Sequence, residues 1–293
     1  MIGELAALST ALCWAVAARM FRILGQSFSP LSLNLWKGLA AIAILVVITE
    51  FFVAPVDIDQ NTLFWLLLSG VIGIGLGDTF FFQALNKIGD SQSILVAETL
   101  APIFTALLAM AWIGEWLTWQ QWCGVAIVLF SVDVIIKIQK RSTENIFILS
   151  GYIYAGLAAL CQAVGAVLSR DILTSVDIDA FNASQIRLVG GLAIIVILML
   201  VSKQKWLPTT QNAKRTWLFF LGATVIGTFA ALYLQMVAFT HTKAAVVQTL
   251  FATSVILSLV VAWVLKEKVD KKTLWWSLLA LVGVAVLVSF EHI

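Results

Sequence analysis

Apolar runs of about 20 residues recur along the whole sequence, each the length that an α-helix needs to cross the hydrocarbon core of a bilayer. A chain with 61% hydrophobic and only 12% charged residues cannot cover a soluble fold with polar surface. The sequence therefore predicts an all-α polytopic membrane protein with about ten transmembrane helices. It lacks the alternating segments of about ten residues that are typical of a transmembrane β-barrel.

Short polar connections separate these runs, so no soluble domain is expected. The predicted spans are residues 3–24, 31–51, 62–86, 92–114, 118–137, 150–170, 180–201, 215–240, 244–265 and 272–290. The longest polar segment, Lys137–Asn145, lies near the middle of the chain and predicts a linker between two halves. A very short polar turn near Asn86–Gln92 predicts a tight hairpin between the third and fourth spans.

The two halves of the sequence look like copies of one another. The segment ALCWAV at Ala11–Val16 corresponds to ALCQAV at Ala159–Val164. Further matches in the same order pair Lys37 with Arg187, Trp65 with Trp217, Gly70 with Gly222 and Glu115 with Glu267. A shared order at a nearly constant offset indicates duplication. Because each half has an odd number of helices, the second copy enters the membrane from the opposite face, which predicts two inverted five-helix repeats, residues 1–140 and 146–293.

The distribution of Lys and Arg predicts the orientation of the chain. We call the face that holds the N-terminus side A and the opposite face side B. Side-A loops hold the basic residues Arg170 and Lys243 and the acids Asp57, Asp59, Asp177 and Asp179. Side-B segments hold Arg19, Arg22, Lys87, Lys137, Lys140, Arg141, Lys203, Lys205, Lys214, Arg215, Lys266, Lys268, Lys271 and Lys272. The positive-inside rule predicts a multi-pass protein of the plasma (inner) membrane with side B in the cytoplasm and both termini outside.

Four ionisable side chains of the first half fall inside predicted spans. They are Lys37, Asp78, Glu98 and Asp133, each roughly two helical turns or less below side B. At similar depths they can form one salt-bridge network, whose role is either structural or functional. In the functional interpretation Asp78 or Glu98 takes up and releases a proton during transport, because one lysine cannot neutralise three acids.

Arg187 repeats the cation of the first half without repeating its acids. The positions that match Asp78 and Glu98 in the second half are apolar, near Ala230 and Leu250. The sequence leaves three uses for Arg187 open. It snorkels to side A, it forms a structural link to a carbonyl, or it holds an anionic group of a substrate.

Helix breakers and small residues cluster in the third and fourth spans. Pro102 removes the backbone hydrogen bond to the carbonyl of Glu98 and predicts a kink there, whereas the matching position in the second half is Ser254. The glycines Gly70, Gly73, Gly75 and Gly77 predict close helix packing.

Polar and aromatic side chains inside the spans are candidates for lining a cavity. The candidates are Trp14, Asn34, Lys37, Gln83, Glu98, Gln162, Gln185, Arg187, Tyr233, Gln235 and Gln248. The cysteines Cys13, Cys123 and Cys161 have no zinc-site spacing and are interpreted as packing residues. We expect no metal, no cofactor and no nucleic acid as a partner.

A motif in the third span suggests an alternative function. Gly75–Asp78 spells GxGD, the signature of intramembrane aspartyl proteases. That chemistry needs a second aspartate in an earlier span, and none is there, since Asp133 comes later. Such a short motif in a glycine-rich helix arises easily by chance, so the protease is kept only as the alternative.

Taken together, the five-helix repeat, Lys37, Arg187, the run Thr99–Phe104 and Gly114-Glu115 resemble the EamA-type transporters of the drug/metabolite transporter superfamily. The resemblance implies two bundles of four helices around a central cavity, with the fifth helix of each half peripheral. It also implies secondary transport of small polar or amphipathic metabolites, often export, by alternating access.

The sequence departs from that family in three places. The second half has Lys266-Glu267 in place of Gly-Glu and no proline at Ser254. The charge count places the termini outside, whereas ten-helix members are usually drawn with cytoplasmic termini. With the family pattern otherwise intact, we expect a non-enzymatic secondary carrier for an amino acid, a nucleobase or a similar solute. The cavity is expected between helices 1–4 and 6–9, in a monomer or a homodimer.

Overall fold

The computed structural model describes residues 1–52, 58–139, 149–202, 204–209, 213–264 and 271–290. Regular secondary structure in these residues is helical throughout. The α-helices are α1 Ile2–Leu24, α2 Pro30–Phe52, α3 Gln60–Gly70, α4 Gly77–Trp112, α5 Trp119–Gln139, α6 Leu149–Ser175, α7 Ala180–Val201, α8 Ala213–Thr224, α9 Ala231–His241, α10 Ala244–Ala252, α11 Ser254–Val264 and α12 Lys271–Ser289. The predicted Glu267 and most of the predicted linker lie outside the described residues.

The helices account for the predicted membrane spans. Seven segments of the described chain are long and apolar enough to cross a bilayer. Three shorter apolar helices, Val96–Trp112, Trp119–Ile135 and Ala244–Ser258, supply the other three. The predicted class, an all-α polytopic membrane protein, is confirmed.

Each half contains one span that is widened by a π-helical segment. The segment Val71–Leu76 joins α3 to α4, and Val225–Ala230 joins α8 to α9. The first packs against α6 and α7, and the second packs against α1 and α2. A π turn is rare and shifts the face that the following residues present. Its occurrence at the same place in both halves, with exchanged partners, supports the duplication that the sequence predicted.

The second helices of the two halves, α2 and α7, run antiparallel to each other. An added Cβ on Gly38 would lie 2.7 Å from Leu192 Cδ2. Further along α2, the Thr49 hydroxyl donates a hydrogen bond to Gln185 Oε1 at 3.0 Å. From the first of these contacts to the second, the residue number rises from 38 to 49 in α2 and falls from 192 to 185 in α7. Equivalent helices of two copies point in opposite directions only if the copies are inverted, so the inverted repeat is confirmed.

The fifth helices of the halves, α5 and α12, pack mainly against each other, as the resemblance implies for peripheral helices. An added Cβ on Gly124 would lie 2.8 Å from Leu287 Cγ, and Phe130 meets Trp276 edge to face with ring centroids 5.5 Å apart. These contacts also have opposite order in the two helices, so α5 and α12 are antiparallel.

The third span runs antiparallel to α6 along a line of close contacts. The Cα of Gly73 lies 2.9 Å from the position that a Cβ on Gly165 would take, and the ring of Phe80 stacks on Tyr154 with centroids 6.0 Å apart. Because the backbones touch, neither Gly73 nor Gly165 has room for a side chain.

The later part of α4 runs parallel to α6, so the chain reverses direction inside α4. Leu100 Cδ1 lies 4.0 Å from the Cβ position of Gly156, and the Trp112 indole donates to Asp171 Oδ2 at 3.1 Å. The hairpin between the third and fourth spans is therefore present. The residues of the predicted turn near Asn86–Gln92 have a helical backbone.

The predicted close packing of the glycines in the third span is confirmed. A Cβ on Gly70 would lie 1.9 Å from the backbone oxygen of Arg187, and one on Gly75 would lie 2.0 Å from Ile194 Cγ2. The third span thus crosses α7 with its backbone in contact, as small residues permit in membrane helices.

The ninth span is interrupted, whereas α4 continues through Pro102. Helix α10 ends at Ala252 and α11 begins at Ser254. Between them the Thr253 hydroxyl donates to the Leu250 carbonyl at 2.6 Å. The backbone N–H of Thr253 also donates to the Leu250 carbonyl, at 3.1 Å, so the α-helical pattern of hydrogen bonds is interrupted here, in the copy that has no proline.

Aspartates begin two helices on side A. The carboxylate of Asp59 accepts the backbone N–H groups of Asn61 and Thr62, and Asp179 does the same for Phe181 and Asn182. Hydrogen bonds from the side chain and backbone of Thr62 hold the pKa of the Asp59 carboxyl below its usual value. Two of the acids that the sequence placed on side A are therefore helix caps.

Candidate functional site

Lys37 and Asp78 form an ion pair inside the membrane region of the first half. Lys37 Nζ on α2 lies 2.7 Å from Asp78 Oδ2, directly after the first π segment. The rings of Phe21 and Phe82 lie 5.8 and 5.6 Å from the ammonium group. Two members of the predicted salt-bridge network thus meet, and aromatic faces stabilise the cation further.

Arg187 on α7 is buried, with 3% of its surface exposed. Its Nε donates to Ser69 Oγ at 3.1 Å, and its Nη1 donates to Met236 Sδ at 3.3 Å. Its Nη2 lies 3.4 Å from the position that a Cβ on Gly73 would take, five residues before Asp78 in the sequence. Arg187 faces the first half because the inverted repeat brings α7 against the third span.

The two cations approach the membrane centre from opposite faces. Lys37 and Arg187 each lie seven residues after the first residue of their helix, Pro30 and Ala180. Seven residues of α-helix are about 10 Å long, and α2 and α7 enter from opposite sides. The cluster Lys37–Asp78–Arg187, which we call the charged cluster, therefore holds matching residues of the two repeats on either side of the midplane.

The other two acids of the predicted network lie outside the charged cluster. Asp133 Oδ2 accepts from Lys137 Nζ at 2.6 Å in an exposed pair within α5. Glu98 is half-buried and has no hydrogen bond or ion pair to any residue that the structure describes. The predicted four-residue network is wrong, because the side chains at these depths point to different neighbours.

Two buried amides have side-chain atoms without a hydrogen-bond partner in the described part of the chain. They are both polar atoms of Asn34 and Nε2 of Gln248. Asn34 is 1% exposed and lies one helical turn before Lys37. A buried polar group without a partner costs about 1–3 kcal/mol, so these amides need water or a ligand.

Some of the remaining candidates contact other side chains and some do not. Gln185 accepts a hydrogen bond from Thr49, and Tyr233 stacks on Phe181 with ring centroids 4.0 Å apart. Trp14, Gln83, Gln162 and Gln235 are half-buried and make no side-chain hydrogen bond to described residues. Their role in lining a cavity stays a prediction.

A second polar cluster joins the halves on side A. Arg170 Nε lies 2.6 Å from Glu115 Oε1, and its Nη1 donates to the carbonyls of Phe239 and Thr240 at 2.6 and 2.9 Å. Glu115 Oε2 accepts the backbone N–H of Ala244 at 3.0 Å. This side-A latch, as we name it, ties the fourth-span loop to α6, α9 and α10.

The backbone at Gly114 shapes the latch. Its φ is +67°, a conformation that residues with a side chain adopt at a cost. Beside it, Lys243 Nζ donates to the Trp116 carbonyl at 3.1 Å and to Gln121 Oε1 at 3.3 Å. The sequence marked Gly114-Glu115 as a motif and Arg170 as a loop cation, but it did not connect them.

The geometry gives no support to the protease alternative. An aspartyl protease needs two carboxyls that share a proton. Asp78 is instead paired with Lys37, and Asp133 with Lys137. No other acid forms a hydrogen bond to Asp78 among the described residues.

Comparisons with known proteins agree with the fold. The sequence model of the EamA-like transporter family matches residues 1–137 and 149–289. An uncharacterized transporter of Archaeoglobus fulgidus is 25% identical over 209 residues, 71% of each chain. An uncharacterized transporter in the cobO 3' region of Sinorhizobium sp is 31% identical over 90 residues, 31% of this chain and 62% of that protein. A crystal structure of another protein at 18% identity gives a TM-score of 0.80 over 99% of this chain and 97% of that one, a likeness that shows the fold alone.

Proposed function

The chain belongs to the EamA-like transporter family, and we propose that it is a secondary active transporter that moves a small metabolite across the plasma membrane. The observation that carries this proposal is the charged cluster. In it the ion pair of Lys37 and Asp78 in one repeat lies close to Arg187 of the other repeat, whose guanidinium packs on the third span five residues before Asp78. Buried ionisable groups at an interface between inverted repeats are typical of substrate and ion sites in transporters.

The proposed mechanism is alternating access between two states in which the repeats, residues 1–140 and 146–293, exchange conformations. Inverted repeats favour such an exchange, because the two halves have similar folds in opposite orientations. If each half adopts the conformation of the other, the cavity opens to the opposite side of the membrane. The side-A latch then has to open and close in each cycle, since it fastens both halves together on that face.

The proposed orientation has side B in the cytoplasm and both termini outside. On side A, Arg170 and Lys243 are engaged in the side-A latch and beside it. On side B, Lys87 and Lys137 are exposed. Exposed basic side chains therefore lie on side B, the side that the positive-inside rule assigns to the cytoplasm.

We further propose that transport is coupled to protons through Glu98 or Asp78. An unpaired carboxylate is unfavourable in a membrane span, and binding a proton removes that penalty. We expect Glu98→Gln or Asp78→Asn to flatten the dependence of flux on pH in proteoliposomes. Flux of labelled amino acids and nucleobases is the measurement.

The matched control is Asp133→Asn, which removes a carboxylate from an exposed ion pair on α5. This variant should keep the pH dependence of the wild type. If Glu98→Gln and Asp78→Asn both keep it as well, proton coupling through these residues is ruled out.

A further inference from the structure

We infer that the transported solute carries an anionic group, a carboxylate or a comparable monoanion, and that the guanidinium of Arg187 binds it. This inference rests on the proposed transport function. It names the class of solute that the charged cluster fits.

The hydrogen-bond partners of Arg187 are neutral. A guanidinium offers five N–H donors in a planar fork, whereas the two acceptors observed are the Ser69 hydroxyl and the Met236 thioether. A thioether sulfur is a weak acceptor. Only 3% of the Arg187 surface is exposed, so water cannot readily bind its remaining N–H donors. These donors therefore need a stronger acceptor than the two observed.

The charges of the cluster do not cancel. Lys37 and Arg187 supply two positive charges, and Asp78 supplies one negative charge that Lys37 binds directly at 2.7 Å. Glu98 forms no hydrogen bond or ion pair with Lys37, Arg187 or any other residue that the structure describes. One positive charge thus stays uncompensated in the membrane region, where an anionic solute would neutralise it and a cationic solute would be repelled.

The guanidinium of Arg187 packs on the backbone of the third span. Its Nη2 lies 3.4 Å from the position that a Cβ on Gly73 would take, five residues before Asp78 in the sequence. The unpartnered amides of Asn34 and Gln248 are further polar groups of the buried interior. Arginine binds a carboxylate through two parallel hydrogen bonds, which a lysine at the same position cannot reproduce.

Thermal unfolding of the purified protein, followed by the fluorescence of its 12 tryptophans, tests this inference. The probes are matched pairs of an acid and its amide: nicotinate and nicotinamide, benzoate and benzamide, N-acetylleucine and N-acetylleucinamide. We expect the acids to raise the unfolding temperature and the amides to act about 10- to 100-fold more weakly, the ratio that charge-assisted hydrogen bonds give.

Variants of Arg187 separate a binding role from a structural one. Arg187→Gln should abolish the preference for acids, and Arg187→Lys should keep only part of it. The exposed cation Lys137 provides the matched control, because Lys137→Gln should leave the preference unchanged. If Arg187→Gln does not fold, Ser69→Ala, which frees only the Nε donor, should still alter acid affinity.

Three results would overturn the inference: amides that stabilise as strongly as acids, an acid preference that survives Arg187→Gln, or no response to any acid. Flux assays keep this outcome separate from failure of the transport proposal. Acids that bind through Arg187 without being moved would support the anion site at Arg187 and contradict the transport proposal. Neutral solutes moved equally by wild type and Arg187→Gln would support the transport proposal and contradict the inference that Arg187 binds the solute.

Discussion

Replacing Arg170 by methionine is expected to destabilise the protein by about 3–5 kcal/mol, the loss that follows when one partner of a buried ion pair is removed. The side chains of Arg170 and Glu115 are only 14% and 15% exposed. Methionine keeps much of the length of the side chain but leaves the Glu115 carboxylate unpaired. It also leaves the carbonyls of Phe239 and Thr240 without their donor. Thermal or denaturant unfolding in detergent measures the change.

The control for this prediction is the ion pair between Asp133 and Lys137, whose side chains are 24% and 63% exposed. Because exposed pairs contribute about 0–1 kcal/mol, Asp133→Asn should change stability little. Combining Arg170→Met with Glu115→Leu should cost less than the two single changes added together, since both remove the same interaction. Equal losses in Arg170→Met and Asp133→Asn would contradict a stabilising role for the side-A latch.

Gly70→Ala is the second change with a large expected effect. The added Cβ would lie 1.9 Å from the backbone oxygen of Arg187, and a backbone atom cannot move aside as a flexible side chain can. The third span and α7 would have to separate, at a cost of about 3 kcal/mol or more, the upper part of the range for overpacking. We expect a lower unfolding temperature and a lower yield of monodisperse protein in size-exclusion chromatography.

The repeat supplies the matched control at Gly222, the residue that corresponds to Gly70 in the sequence. A Cβ on Gly222 would meet only Met20 Cε at 3.6 Å, which is ordinary contact with the end of a flexible side chain. Gly222→Ala should therefore keep the stability of the wild type. It could even raise stability slightly, because alanine is the better helix former by roughly 0.5–1 kcal/mol. Similar behaviour of Gly70→Ala and Gly222→Ala would show that the close crossing is absent in the protein.

The sequence predicted the helices well because hydrophobic length leaves little choice in a bilayer. Helix α7, for example, covers Ala180–Val201, the same residues as the predicted seventh span. The inverted repeat followed from the odd number of helices per half. The pairing of Lys37 with Asp78 followed from their similar depth, since unpaired charges at that depth are costly.

Features that depend on long-range contacts could not be predicted in this way. The side-A latch connects Glu115 with Arg170 and Ala244, which are far apart in the chain, and nothing in their local sequence links them. The π segments have no residue pattern that separates them from an α-helix. The sequence predicted a kink at Pro102, because proline is the strongest local signal for a helix defect, but no such signal marks the break at Thr253.

The charged cluster was predicted only in part, for a reason that lies in the repeat itself. Depth along a helix places Glu98 near Asp78, but it does not say which way either side chain points. Arg187 was compared with the apolar positions of its own half, although inverted packing places it against Gly70 and Gly73 of the third span. Comparing residues within each half therefore misses the pairs that form between halves.

Counterflow in proteoliposomes measures most directly whether the protein carries solutes by alternating access. Vesicles loaded with an unlabelled solute, with and without the protein, are diluted into a trace of the same solute in labelled form. Carboxylates such as nicotinate are the first probes. We predict a transient accumulation of label that requires the protein and is reduced in Arg187→Gln. A folded wild-type protein that exchanges no carboxylate, amino acid or nucleobase would contradict the assignment as a carrier.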